Sequence, residues 1–335
     1  MVRNAMGRIS VALDVVGGGV MPGHRTRIRN CGRIALLAAL LAACQPGEDA
    51  EPTASAVARR LPVVFTVSYP LAWMADRIGG EAIEVVFPAP DDVDPAHWQP
   101  TPETILNYQG ADLVLLNGAG YAAWVQFAAL SPGKLVDTSR GLSARLIPAG
   151  EATHSHGPGG AHDHRNVASH TWLDPIFAAA QAKAIASALE VHVPNAPAGL
   201  ERLQADLAHL DARLAAVFRG WSDAGVLYSH PVYQYLDARY GLAGWSVSWE
   251  PDEHPSDAEW QRLAERLRNQ RASVMLWEGE PSPATTAKLR ELGITPVVFE
   301  TGAWTPAQGD YLTLMQQNIE RLTEARIDGG NEHHP

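Results

Sequence analysis

The sequence predicts an α/β fold: two lobes, each with a small parallel sheet and flanking helices, bridged by one long rigid helix. Two observations lead there. Short apolar, β-branched runs alternate with helical patterns from residue 61 to residue 299, the signature of βα units and a parallel sheet. A nearly unbroken run of helix formers from Leu200 to Phe218, with Leu203, Leu207, Leu210, Leu214 and Val217 at helical spacing, then splits that alternation in two. At 1.5 Å per residue it is roughly 30 Å long.

Of the 335 residues, 46% are hydrophobic and 19% charged, an ordinary globular balance. The formal net charge of -11 argues against nucleic acid, whose phosphates need clustered Lys and Arg. The two cysteines, Cys31 and Cys44, both lie near the N-terminus. The folded body therefore carries no disulfide, and a metal site in it must use His, Asp or Glu.

Residues 1–44 read as a signal segment, with Met21 offering an alternative start. His24–Arg29 is basic, Ile34–Ala43 is apolar, and Cys44 follows. The apolar run is too short for a stable membrane span. Leu41-Ala42-Ala43-Cys44 has the form of a bacterial lipobox, which makes Cys44 the lipidated residue and the membrane contact a lipid anchor. Residues 45–60, polar and rich in Pro, Ala and Ser, form a flexible tether.

The N-terminal lobe covers 61–196. Strands are expected at 61–67, 83–87, 112–117 and 134–137. Helices are expected at 69–78, ended by Gly79-Gly80, and at 103–109, and another opens at Gly118-Ala119-Gly120-Tyr121 and contains Trp124. The loop 88–102 leaves the end of the second strand, where ligands sit in such sheets. A His-rich loop, 151–166, precedes a helix at 176–191. The linker helix covers 197–219. The C-terminal lobe, 220–327, repeats the theme, with strands at 225–228, 245–249, 273–277 and 295–299 and helices at 233–240, 257–269, 284–292 and 310–325. Residues 328–335 are expected to be a disordered tail.

Chemistry concentrates in histidines. His154, His156, His162 and His164 fall within eleven residues, spaced by Gly and Ser. Such a segment is too polar for a packed core and reads as a weak, multi-site metal collector. His170, His230 and Glu300 each stand at a strand end or in a loop facing the cleft, and His97 in the loop after strand two joins them. Three or four N/O donors from separate segments suit tetrahedral Zn²⁺; the same donors also take Mn²⁺ or Fe²⁺, and imidazole dominance favours zinc. Each has a plainer alternative: a loop histidine at 97, a turn residue at 170, a helix cap at 230, a surface carboxylate at 300. Trp172, Trp249, Trp277 and Trp304 read as core or cleft-wall aromatics. Glu278 and Glu280 do not read as the carboxylate pair of a glycosidase, because the intervening Gly279 turn scatters them.

Tyr69-Pro70-Leu71, Asp94-Pro95-Ala96-His97-Trp98-Gln99-Pro100, Asn117-Gly118-Ala119-Gly120, the His-rich loop, His170-Thr171-Trp172-Leu173-Asp174-Pro175, Ser229-His230 and the closing Asp310-Tyr311-Leu312 occur in that order. Together they resemble the zinc/manganese ABC-transporter substrate-binding proteins over residues 61–325. The resemblance implies two bridged lobes with the metal in the cleft between them. It makes His170 and His230 the second and third ligands, and Glu300 the fourth, where the family usually has Asp. The family usually reads Asp-Pro-His; here Ala96 takes that position and His97 follows. His97, Asp92, Asp94 or a water is then the first ligand. The His-rich loop points to zinc rather than manganese. The function implied is an extracytoplasmic, membrane-anchored lipoprotein, periplasmic or on the cell surface, monomeric and not an enzyme, that captures Zn²⁺ for an ABC permease and its ATPase subunit. A zinc-dependent hydrolase, or a metal-buffering or adhesion lipoprotein without a transporter, are the alternatives.

Overall fold

The computed structural model describes residues 60–331 except 92, 150–166, 222 and 224, with side chains through residue 325. Cys44, the tether to residue 59 and the histidines at 154, 156, 162 and 164 lie outside the described residues.

Two four-stranded parallel sheets form the scaffold. The first contains β1 (Val63–Thr66), β2 (Glu84–Val86), β3 (Leu113–Leu116) and β4 (Leu135–Asp137), in the order β2-β1-β3-β4. The second contains β5 (Val226–Tyr228), β6 (Trp245–Ser246), β7 (Val274–Trp277) and β8 (Thr295–Val298), in the order β6-β5-β7-β8. Both sheets thus use one winding, in which the order reverses beside the first strand. Ligands in such folds lie beyond the strands' carboxyl ends at that reversal, here between β1 and β3 and between β5 and β7.

The helices are α1 (Tyr69–Gly79), α2 (Pro102–Gly110), α3 (Pro175–Leu189), α4 (Ala196–Phe218), α5 (Gln234–Tyr240), α6 (Asp257–Leu267), α7 (Pro283–Glu291) and α8 (Tyr311–Asn331). Helix starts carry the expected chemistry. Asp174 caps α3 by accepting from the Ile176 N–H at 2.8 Å, with Pro175 next. Ser256 and Glu259 make a capping box on α6. Two expectations fail. No α-helix opens at Gly118, because Gly118, Ala119, Gly120 and Ala122 all have positive φ (73°, 47°, 77° and 56°) and only a short 3₁₀ turn forms at 123–126. The tail expected to be disordered from 328 begins as helix: α8 continues to Asn331, each added residue extending a helix that is already nucleated.

The linker helix α4 buries Leu203, Leu207, Leu210, Leu214 and Phe218. Its stripe belongs to one continuous core running from Val64 and Leu71 through Trp172 to Leu276, Phe299 and Leu314. Gly199 abuts the Ile78 backbone so closely that any Cβ there would collide with it. A separate cluster (Trp245, Trp249, Trp260, Met275, Trp277, Leu289) covers the other face of the second sheet. Ion pairs tie α4 to both lobes: Arg77 of α1 pairs with Asp206, and Arg239 of α5 grips Asp211 with two hydrogen bonds, at 2.8 and 2.6 Å. That grip holds the Asp211 carboxyl below the usual carboxylate range, a little offset by burial. A lowered folded-state pKa contributes stability that is complete above the unfolded value and lost as pH falls through the folded one. Asp211→Asn is therefore expected to cost about 1–2 kcal/mol at neutral pH, discounted for the exposure of Arg239. The difference from the parent should shrink in acid-unfolding curves as pH falls through the folded-state pKa of Asp211; an unchanged gap in acid would contradict this.

Candidate metal centre

The N-terminal half of the site is built on a loop and a turn. The loop after β2 is held by Asp94, whose Oδ1 accepts from the Ala96 N–H at 2.8 Å while its carbonyl accepts from the His97 and Trp98 N–H groups. This is an Asx turn. Trp98 stands edge-on to Trp124 at 6.3 Å, and the Trp304 indole donates to the Val93 carbonyl at 3.0 Å. The loop so fixed puts His97 Nε2 3.7 Å from Asp94 Oδ2. His97 is more than half exposed.

His170 is buried. Asn117, at the exit of β3, donates to the Ser169 carbonyl at 2.8 Å and accepts from Thr171 Oγ1 at 3.0 Å, and Gln181 of α3 donates to Thr138 at 2.8 Å. This buried network clamps residues 169–171 on both sides of His170. The ring packs against Trp172 and edge-on to Tyr121. Burial pushes the imidazole down to about 4. Asp94 opposes that shift, while His230 and His97 add to it. The ring is therefore a neutral lone-pair donor at physiological pH, the form a metal requires. The remaining residues of this segment join the lobes: Trp172 Nε1 donates to the Thr301 carbonyl at 2.8 Å, and Tyr311 donates to the Trp172 carbonyl at 3.1 Å.

His230 sits just beyond β5, and Glu278 follows β7, so the two meet at the strand-order reversal. His230 Nδ1 lies 3.3 Å from Glu278 Oε1, and Nε2 lies 3.5 Å from Glu250 Oε1. Burial alone would lower its pKa, but the hydrogen bond and charge of Glu278, then Glu250 and Asp94, raise it on balance. A carboxylate on one ring nitrogen orients the imidazole and leaves the other nitrogen for a metal.

Glu300 lies elsewhere. The Phe299 N–H donates to the Trp277 carbonyl, so strand pairing continues past β8, and successive side chains face opposite ways. Phe299 and Thr301 point into the core between the lobes. Glu300 turns out to meet Arg321 of α8 at 3.0 Å, in an outer groove of about 560 Å³ with Glu280, Arg290 and Glu324. The one-residue offset and the Arg321 ion pair remove Glu300 from the cleft. His97 Nε2 lies near the Asp94 carboxylate, the charge of Asp94 acts on both His170 and His230, and Glu278 and Glu250 stand beside His230. Among the described residues no three such side chains are drawn close enough to hold a metal ion; the donors stand as pairs. The strand-order reversal was the available signal for Glu278.

A family described as "Zinc-uptake complex component A periplasmic" matches residues 64–325. The chain is 27% identical over 280 residues to the high-affinity zinc uptake system protein ZnuA of Bacillus subtilis, covering 79% of this chain and 87% of that one. It is 24% identical over 294 residues to the zinc-binding lipoprotein AdcA of Streptococcus pneumoniae, covering 80% of this chain but only 56% of the relative. In fold it is similar to the metal-dependent lipoprotein YcdH from Bacillus subtilis (TM-score 0.66, 24% identity, 79% of this chain and 99% of that one). It is also similar in fold to the Mn²⁺ complex of FpvC from Pseudomonas aeruginosa (TM-score 0.65, 23% identity, 81% and 100%). With the two wound sheets, the bridging helix and the match over residues 64–325, the chain belongs to the zinc-uptake complex component A family.

Proposed function

We propose that the protein captures Zn²⁺ outside the cytoplasm and delivers it to an ABC permease and its ATPase subunit. The observation that carries this is that His97 stands 3.7 Å from Asp94 in one lobe, while the charges of Asp94, His97 and of His230 from the other lobe all act on buried His170. These four are the proposed ligands, with Glu278 orienting His230. Three imidazoles and one carboxylate suit tetrahedral zinc better than the oxygen-rich octahedron of manganese. The zinc named for the Bacillus and Streptococcus relatives supports the same choice. The family is one of uptake components, and the protein is read as a carrier rather than an enzyme.

Similarity to proteins named lipoproteins supports Cys44 as the lipid anchor and a periplasmic or cell-surface location, with residues 45–60 as the tether; the protein is read as a monomer. No helix of the described residues is long and apolar enough to cross a membrane. The histidines at 154, 156, 162 and 164 are proposed as an auxiliary collector. Because α4 is fixed to both lobes, loading and release work through small loop and lobe shifts, chiefly a swing of exposed His97, rather than wide closure.

Isothermal titration of the full chain with Zn²⁺ tests this. One tight equivalent followed by weaker ones is expected. Absence of any binding tighter than about 1 µM, roughly −8 kcal/mol, would refute it.

A further inference from the structure

A ladder of alternating charges crosses the junction of the two lobes. Arg145 of the first lobe lies 3.2 Å from Asp174 Oδ2, and Arg239 of α5 lies 3.8 Å from Asp174 Oδ1. Arg239 also grips Asp211 of α4, to which the Tyr240 hydroxyl donates at 3.1 Å. Asp174 is the inner rung: the residue is 7% exposed, whereas the two arginine side chains are 46% and 35% exposed. Its Oδ1 also takes the Ile176 N–H that caps α3.

One turn away on α5, a hydrogen-bond clamp stands beside the ladder. The Ala168 N–H donates to the Ile147 carbonyl at 2.8 Å. The Tyr235 hydroxyl accepts from the Ile147 N–H at 3.3 Å and donates to the Ala168 carbonyl at 3.2 Å. The Tyr235 ring stands edge-on to Phe177 of α3 at 5.3 Å. Tyr235 and Arg239, four residues apart on one face of α5, thus fasten this helix of the second lobe to the first.

We infer that the Asp174–Arg239 bridge is a latch at the lobe junction, closed by charge and opened by acid or salt, that sets how firmly α5 is held to the first lobe. Burial raises the pKa of the Asp174 carboxyl; the Ile176 and Phe177 N–H groups, then Arg145 and Arg239, oppose that rise without cancelling it. On the other side of Arg239, the same guanidinium holds Asp211 low. The nearby Tyr235 and Tyr240 hydroxyls are raised, chiefly by burial, and stay neutral. Falling pH therefore protonates Asp174 before Asp211. Arg239 keeps its hold on α4 and lets go of Asp174, so the ladder parts at the boundary between the lobes. A raised folded-state pKa means that the fold disfavours the charged carboxylate, a cost relieved as pH falls through the folded value. Opening the latch is therefore distinct from acid unfolding. Salt acts at the same rung, because both arginines are open to solvent and screened. The latch belongs to the lobe junction and does not depend on zinc capture.

Hydrogen exchange of the metal-free full chain, read at single amides, tests this. The Ile147 and Ala168 amides report the clamp, and the Phe299 amide, bonded to the Trp277 carbonyl inside the second lobe, is the control. Salt at about 1 M shortens the screening length to about 3 Å. It is expected to speed exchange at Ile147 and Ala168 about fivefold, the equivalent of about 1 kcal/mol, and to leave Phe299 unchanged. Lowering pH through the Asp174 titration should do the same, after correction for the intrinsic rate. Asp174→Asn, which keeps a cap on α3, should show the faster rate at neutral pH in low salt and respond to neither treatment. Combined with Arg239→Gln, it should exchange no faster than Arg239→Gln alone. Exchange in the unaltered protein that ignores both salt and acid would overturn the latch. So would parental protection in Asp174→Asn, fully additive changes in the double variant, or equal acceleration at Phe299.

Discussion

Replacing His170 and His230 together with alanine is expected to abolish tight zinc binding. Four-ligand zinc sites are worth about 10–16 kcal/mol at neutral pH, so each donor carries on the order of 3 kcal/mol. Losing two should weaken affinity by on the order of ten-thousandfold. The two residues come from different lobes, at the exits of β3's clamp and of β5, so neither lobe compensates for the other. The fold should survive. His170 packs in a wall kept by Tyr121 and Trp172, and its removal trims an imidazole rather than an aliphatic core residue. A loss of 1–2 kcal/mol lowers the melting temperature by about 2–4 °C per kcal/mol in a body this size. Titration calorimetry and metal-free melting curves read the two effects separately. Retention of the tight equivalent in the double variant would place the metal elsewhere in the molecule.

The second large effect separates three carboxylates. Asp94→Asn is expected to weaken zinc by on the order of a hundredfold, as the loss of an anionic ligand. Glu278→Gln should cost 10- to 100-fold, about the usual price of losing a carboxylate that orients a ligating imidazole. Glu300→Gln should leave zinc affinity unchanged and affect only the Arg321 pair. That pair is about one-third and two-fifths exposed and is worth at most about 1 kcal/mol. Competition titrations against a chromogenic chelator resolve these differences. A Glu300→Gln loss equal to that of Asp94→Asn would overturn the assignment.

The scaffold was legible in the sequence because its signals are long and redundant. Eight apolar strands and the α4 stripe at Leu203, Leu207, Leu210 and Leu214 repeat a period many times over. His230 was legible through the strand pattern it follows, and His170 through the His-Thr-Trp-Leu-Asp-Pro run that precedes α3. The carboxylate was not. Whether residue 300 or 301 faces the cleft depends on where β8 stops pairing, and a shift of one residue reverses the side. The strand pattern leaves that end uncertain by more than one position. The same offset separates Ala96 from His97. Asp94 stood among the sequence alternatives, but its contact with His97 depends on the Asx turn it makes with Ala96. The Gly118–Ala122 turn read as a helix start because small residues are also good helix formers; only its φ angles reveal the conformation that carries Tyr121.

The identical winding of the two sheets has an evolutionary consequence. Asp94, His97 and His170 belong to one half and His230, Glu250 and Glu278 to the other, and the two halves carry separately wound sheets. Selection can therefore alter the donors of one half while the other half remains a working partner. A lineage could drift from one cation to another through intermediates that never lose metal binding altogether.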